Sequence, residues 1–237
     1  MKNPAQISTS LSHPAVVGTV HSLAAVAAAR KLRPEQCDWL ELRIDNFFPD
    51  IQTLGQFIPK LAFPRIITVR HASEGGRANG MSAGSRRALY THFLEGAGLV
   101  DVELRWSGPM RDVIRQAKDA GAGVILSHHD FRRTPPLPKL RDLARRARDA
   151  GADVFKLAAM THTERDLATL IEFLAGEKRR LPLAVMGMGA FGKVSRLVLA
   201  QAGSCLNYGY LGAPNASGQW PAALLKARIA ELSDPAA

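Results

Sequence analysis

Lys156 sits inside an otherwise apolar run, VFKLAAM, bounded upstream by Gly151 and downstream by the polar THTERD. The run has the length and apolar density of a strand buried on both faces, as in a parallel sheet. An amine there is hard to solvate. Burial disfavours the ammonium and makes the nitrogen a nucleophile for a carbonyl, the first step of Schiff-base chemistry. Taken alone, the same lysine fits a strand-end snorkel or a buried ion pair. Its company favours chemistry: one unit earlier, VILSHHDF has the same strand character and ends in His128, His129 and Asp130. Strand alternation sends the two imidazoles to opposite faces, so one of them lies at the mouth of the neighbouring strand. Amine and imidazole side by side are the parts for imine formation plus proton transfer.

The elements that must hold these groups alternate along the chain. Strand-like AVVGTV (15–20) precedes an alanine-rich helical run to Lys31, WLELR (39–43) precedes a helical segment over 50–61, and RIITVR (65–70) leads through a glycine-rich stretch to a helix over 85–96. LVDVEL (99–104) is followed by a helix over 109–121 with Pro109 in its first turn, and GVILSH (123–128) by one over 138–150. ADVFKLAA (152–159) feeds a helix over 163–177, LAVMGM (183–188) one over 192–202, and CLNYGYL (205–211) one over 219–232. Eight strand–helix units predict an α/β fold, a single (β/α)8 TIM barrel over 1–237, with 1–13 a flexible N-terminal segment. DAGAGVIL (119–126) and DAGADVFKL (149–157), offset by 30 residues, repeat a helix ending at glycine before a strand. Active sites of such barrels lie at the C-terminal strand ends. Thr19, Glu41, Arg43, Arg70, Glu74, His129, Lys156, Met188, Arg196 and Gln219 all fall in, at or after those ends.

SHHDF followed by TPP and then FKLAAM resembles the type I 3-dehydroquinate dehydratases, Schiff-base lyases of the shikimate pathway of aromatic amino acid biosynthesis. WLELRID (39–45), ITVRHASEGG (67–76), VDVEL (100–104), VMGMGAFGKVSR (185–196) and ASGQ (216–219) fall in the family's order and approximate spacing, so the resemblance covers nearly the whole chain. It implies syn elimination of water from 3-dehydroquinate to give 3-dehydroshikimate, with no metal and no cofactor. It assigns Lys156 as the imine-forming amine, His129 as the general acid and base, and Glu74 as the carboxylate partner of the histidine. Arg196 becomes the clamp on the substrate carboxylate, with Thr19, Glu41, Arg43, Arg70, Met188, Asn215 and Gln219 as further substrate contacts. Two positions depart from the family pattern: Asn215 stands where a serine is usual, four residues before the glutamine, and Gly187 replaces a common serine between two methionines. Asparagine still hydrogen-bonds a hydroxyl. The resemblance also implies a homodimer.

Composition narrows the alternatives. A chain of 237 residues with 46% hydrophobic content can bury the core of one barrel. Two cysteines and a start, MKNPAQISTSLSHP, without a charged-then-apolar pattern predict the cytoplasm, and no apolar run reaches the length of a membrane span. The formal charge of +10 is concentrated at Lys139, Arg141, Arg145, Arg146, Arg148 and at Lys178, Arg179, Arg180, near the ends of outer helices, where cations complement helix C-termini. No nucleic-acid motif accompanies it. Gly187-Met188-Gly189-Ala190-Phe191-Gly192 fits G-x-G-x-x-G, yet no acid follows between Lys178 and Ala230 to hold a ribose, so it reads as a tight loop and helix start that help place Arg196 and accept an anion. The adjacent histidines and unpartnered cysteines lack zinc-ligand spacing.

The glycine-rich stretch 74–84 is expected to act as a mobile lid. Desolvation and the field of Arg43, Arg70 and Arg196 are expected to act together on the Lys156 amine. Rival functions are a phosphate-recognising Schiff-base aldolase, a non-catalytic or altered-specificity barrel homologue binding a quinate-like carboxylate, and a nucleic-acid-binding protein argued from charge alone.

Overall fold

The structure, a computed structural model, describes residue 11 and residues 14–48, 51–58, 61–77 and 79–233. Apart from Leu11, the segment 1–13 expected to be flexible lies outside the described residues. Strands and helices alternate: β1 Ala15–Val20, α1 Leu23–Ala29, β2 Trp39–Arg43, α2 Ile51–Phe57, β3 Arg65–Thr68, α3 Ala83–Phe93, β4 Leu99–Glu103 and α4 Arg111–Asp119 form the first half. The second half is β5 Gly123–Asp130, α5 Leu137–Asp149, β6 Val154–Met160, α6 Glu164–Glu177, β7 Leu183–Met188, α7 Gly192–Gln201, β8 Leu206–Tyr210 and α8 Ala222–Ser233. All seven laddered strand pairs are parallel, in the order β7-β6-β5-β4-β3-β2-β1-β8. The sheet is a nearly closed TIM barrel. At the seam the outer strands are tied by Cys205 N–H to Leu183 O at 2.8 Å and by Val185 N–H to Ser204 Oγ at 2.9 Å.

Period-two alternation sorts every strand into two faces. Val16, Leu40, Ile67, Val100, Val124, Phe155 and Val185 point outward into one apolar cluster under the helices. Val17, Trp39, Ile66, Leu99, Ile125, Val154, Ala184 and Leu206 form a separate cluster filling the lower barrel. Two residues further along the same strands, the inward positions turn polar: Thr19, Glu41, Thr68, Asp101, Ser127 and Lys156 are all buried. An apolar floor thus lies beneath a charged layer.

Helix ends follow local chemistry. Thr163 and Asp166 form a capping box at the start of α6. Both DAGA repeats end their helices on a glycine in the left-handed region, Gly121 at φ 76° and Gly151 at φ 84°. Some boundaries differ from the sequence reading. β3 stops at Thr68 because Arg70 N–H leaves the ladder for Asp45 Oδ1, and Val69 O accepts from the Arg86 side chain. Helix α4 begins at Arg111, after a short 3-10 turn over Leu104–Trp106, so Pro109 lies before it. Among the described residues, no helix is long and apolar enough to cross a membrane.

Candidate active site

A cavity of ≈ 160 Å³ at the C-terminal strand ends is lined by every site residue named from the sequence: Lys156, His129, Glu74, Thr19, Glu41, Arg43, Arg70, Met188, Arg196, Asn215 and Gln219. Phe131, Ala158, Met186 and Tyr208 also line it, and Asp101 and Ser127 stand behind it. For Ser127, Ala158 and Met186 the signal was present in the sequence, since each lies two residues before or after an identified inward residue of its strand, whereas β4 and β8 offered no such marker for Asp101 and Tyr208.

Lys156 comes from the middle of β6 and is buried. Its Nζ donates to Glu41 Oε1 at 3.1 Å and Asp101 Oδ2 at 2.9 Å, and lies 3.7 Å from the centroid of the Tyr208 ring. The buried ion pair and the reactive amine are therefore one feature. The sequence reading placed arginine charge near this nitrogen, and closure of the barrel also brings two carboxylates into hydrogen-bond contact with it. Burial alone would raise the Asp101 carboxyl, but Arg70 and Lys156 outweigh it and hold it well below the usual carboxylate range. Glu41 is oriented by Thr19 Oγ1 at 3.3 Å and Thr68 Oγ1 at 3.1 Å.

His129 lies one strand away, at the open end of β5. Its Nδ1 is 3.0 Å from Glu74 Oε2, which also accepts its backbone N–H at 3.1 Å. With a carboxylate on Nδ1, the ring carries its proton there and leaves Nε2 as a lone-pair base. Burial first, then the charges of Arg70 and Lys156, hold the imidazole well below its ordinary value, so it is neutral at pH 7. Burial also pushes the Glu74 carboxyl up to about 7. His128 does not line the cavity, as alternation requires. The Phe131 ring stacks on His129, with centroids 6.2 Å apart.

Glu74 reaches the histidine because the chain after β3 is tied down. Arg43 Nη2 donates to Gly75 O at 3.1 Å and Arg77 N–H donates to Asp45 Oδ2 at 3.2 Å. A Cβ on Gly76 would stand 2.1 Å from Arg70 O. These contacts tie down the first part of the segment 74–84, of which, among the described residues, only Glu74 and Gly75 line the cavity. The segment after β8 is the other loop at the mouth. There Gln219 Oε1 accepts from Asn215 N–H at 3.0 Å and Ala216 N–H at 3.2 Å, which leaves the amide nitrogen for a ligand.

Arg196, on α7, is buried with no carboxylate partner among the described residues. Its Nη1 donates to Gly187 O, Gly192 O and Gly218 O at 2.7–2.9 Å, and Nε to Tyr208 O at 3.1 Å. Nη2 makes no hydrogen bond among the described residues, which leaves it as the donor nitrogen open to a ligand. Burial lowers this guanidinium to about 10, still charged at neutral pH. The G-x-G-x-x-G loop is what places it, through the Gly187 and Gly192 carbonyls. A Cβ at Gly187 would come within 2.8 Å of both Thr161 Oγ1 and Ser195 Oγ, so glycine there leaves room for Ser195 to accept the Gly187 N–H. The other buried cations are paired: Arg43 with Asp45, Arg70 with Asp101, Arg86 with Glu103, Lys156 with Glu41 and Asp101. Arg196 is thus the cation lining the cavity that has no carboxylate partner among the described residues, which suits an anionic ligand.

The family model for type I 3-dehydroquinase matches residues 15–232. The chain is 34% identical over 191 residues to the 3-dehydroquinate dehydratase of Methanosarcina barkeri, covering 76% of this chain and 78% of that protein. It is 32% identical over 206 residues to the 3-dehydroquinate dehydratase of Methanothrix thermoacetophila, covering 87% and 86%. The crystal structure of 3-dehydroquinate dehydratase from Geobacillus kaustophilus superposes with a TM-score of 0.83 at 24% identity, over 93% of this chain and 91% of that one, which is a likeness of fold.

Proposed function

The chain belongs to the type I 3-dehydroquinase family and eliminates water from 3-dehydroquinate as a hydro-lyase, and from that premise we propose that Lys156, His129 and Arg196 divide the work. What supports this reading is that a buried amine, a neutral imidazole and an unpaired guanidinium face one cavity.

The substrate carboxylate binds at Arg196 Nη2, with the Gln219 amide and Asn215 contributing hydrogen bonds from the β8 loop. Lys156 gives up a proton to an adjacent carboxylate and attacks the ketone carbon. Loss of the carbonyl oxygen as water leaves an iminium. That cation is the electron sink that acidifies the neighbouring C–H. His129 Nε2 removes the proton, and Glu74 on Nδ1 stabilises the imidazolium so formed. The enamine then expels the adjacent hydroxyl, to which His129 returns the proton, so a second water departs. Hydrolysis of the product imine consumes one water and regenerates the amine, for a net loss of one water. Asp101, held ionised beside Nζ, faces the positive charge of the resting ammonium and again that of the iminium. Thr19, Glu41, Arg43, Arg70 and Met188 complete the walls.

Borohydride added during turnover reduces an imine to a stable amine. The expected result is inactivation with one substrate-derived mass per chain on the peptide containing FKLAAM, and no labelling of a folded Lys156→Ala variant. Turnover without a trappable adduct would sink the Schiff-base assignment. Absence of dehydroquinate turnover with carboxylate binding intact would instead favour a non-catalytic or altered-specificity homologue.

The enzyme is further proposed to work in the cytoplasm as a homodimer. Cys37 and Cys205 are both free and buried, as suits a reducing compartment, and the dimer rests on the family resemblance. Light scattering in solution decides the second point: a mass of 25.6 kDa, rather than twice that, excludes the dimer.

A further inference from the structure

We propose that the ring face of Tyr208 takes part in the reaction by stabilising the positive charge on the Lys156 nitrogen, most of all in the iminium; this rests on the Schiff-base reading above. Tyr208 is an inward residue of β8, paired in register with Val17, and only 2% exposed. Its carbonyl is held by Arg196 Nε at 3.1 Å, which fixes the backbone that carries the ring. The ring centroid is 3.7 Å from Nζ, within the range for a strong cation–π contact in a site removed from water.

The hydroxyl does not explain why this residue lies there. It is buried and makes no hydrogen bond among the described residues, an arrangement that costs stability. The aromatic face is the part of the side chain with a partner.

The chemistry of the nitrogen gives that face its purpose. As an ammonium, Nζ has three N–H groups, and two of them satisfy Glu41 and Asp101. As an iminium it is planar with a single N–H, so it cannot donate to both carboxylates. A ring face requires only positive charge and no hydrogen, so its contact survives the change. Relative to the hydrogen bonds, the ring therefore counts for more in the iminium than in the resting lysine. Measured from the neutral amine that attacks the ketone, the contact gains strength as the iminium charge forms, and an interaction that strengthens on the way to the transition state accelerates the step.

The test replaces Tyr208 by Phe, by phenylalanines carrying increasing numbers of ring fluorines, and by Leu in the full-length chain. The readouts are kcat, KM and the fraction of chains reduced to the Lys156 adduct by borohydride under saturating product. Tyr208→Phe should retain kcat to within about threefold, because the face remains. Tyr208→Leu should lose roughly 10- to 30-fold in kcat with a smaller change in KM, and its adduct fraction should fall in parallel. Fluorination withdraws charge from the face while hardly altering its shape, so kcat and adduct fraction should decline stepwise with fluorine number at nearly constant melting temperature. A flat fluorine series, or a Phe variant as damaged as the Leu variant, overturns the inference. The wild-type chain separates the two readings. If it forms no adduct, the Schiff-base assignment fails and takes this inference with it; if its adduct forms and the series is flat, this inference alone fails.

Discussion

At the scale of single residues, the cavity is decided by which partners each buried charge has. His129 is neutral because burial and two nearby cations disfavour imidazolium, which suits it to the proposed role of base. His129→Ala should still form the imine but turn over about 10²–10⁴-fold more slowly, measured by single-turnover absorbance of the enone. Near-normal turnover would remove it from the mechanism. In the proposed mechanism Glu74 would set the pH response. Its carboxyl is pushed up to about 7, so the carboxylate that stabilises imidazolium is lost as pH falls through that value. The rate should therefore drop on the acid side with a midpoint near 7, and Glu74→Gln should flatten that limb while lowering the plateau; an unchanged limb in the variant would assign it to another group. For Arg196, four hydrogen bonds to carbonyls hold the side chain while Nη2 serves the ligand. Lysine has one nitrogen and cannot do both, so Arg196→Lys should raise KM by about tenfold or more despite the retained charge. An unaltered KM would mean that Arg43 or Arg70 holds the carboxylate.

At the scale of elements, the weakest point of the wall is the seam between β7 and β8. A side chain stands in for backbone there: Ser204 Oγ accepts Val185 N–H at 2.9 Å and lies 3.3 Å from Val185 O and 3.4 Å from Leu206 O. β7 carries Met186 and Met188, and β8 carries Tyr208, so the seam positions one side of the cavity. Ser204→Ala strands a buried N–H and should cost about 1–3 kcal/mol in urea unfolding. If the loss is confined to the seam, kcat should fall less than stability; no loss of stability would show that water or neighbouring backbone replaces the hydroxyl. The β8 loop is seated by contact between glycines, with a Cβ on Gly218 falling 2.6 Å from Gly192 Cα while φ is +73°. Both geometry and space exclude a side chain there, which keeps Gln219 at the mouth.

At the scale of the whole molecule, the charge of +10 and the single unpaired cation in the cavity answer different questions. On exposed α5, Arg145 pairs with Asp142 and Asp149 of the same helix, and such surface pairs contribute little to stability. The buried Arg196 has no such partner, so an anionic ligand relieves it. Saturating product, at about 100 times its Kd, should stabilise the fold by about 2.7 kcal/mol and raise the melting temperature by several degrees. Arg196→Ala should abolish that rise. A rise that persists in the variant would place the carboxylate elsewhere.

Much of the molecule was legible in the amino-acid order, because period-two alternation is a local property. Eight strands could be read from apolar runs, and their C-terminal ends pointed to residues that line one cavity. Lys156 stood out because a charge inside VFKLAAM contradicts its surroundings. Relationships across the barrel were not legible. Nothing in the chain brings Glu41 or Asp101 to Lys156 over separations of 115 and 55 residues; closure of the sheet does. The same holds for the Tyr208 ring beneath Nζ and for the three carbonyls that occupy Arg196 Nη1. Composition and spacing fix what each strand can present. Which charges meet, and which one is left without a partner, depends on distances that exist only once all eight strands surround a common interior.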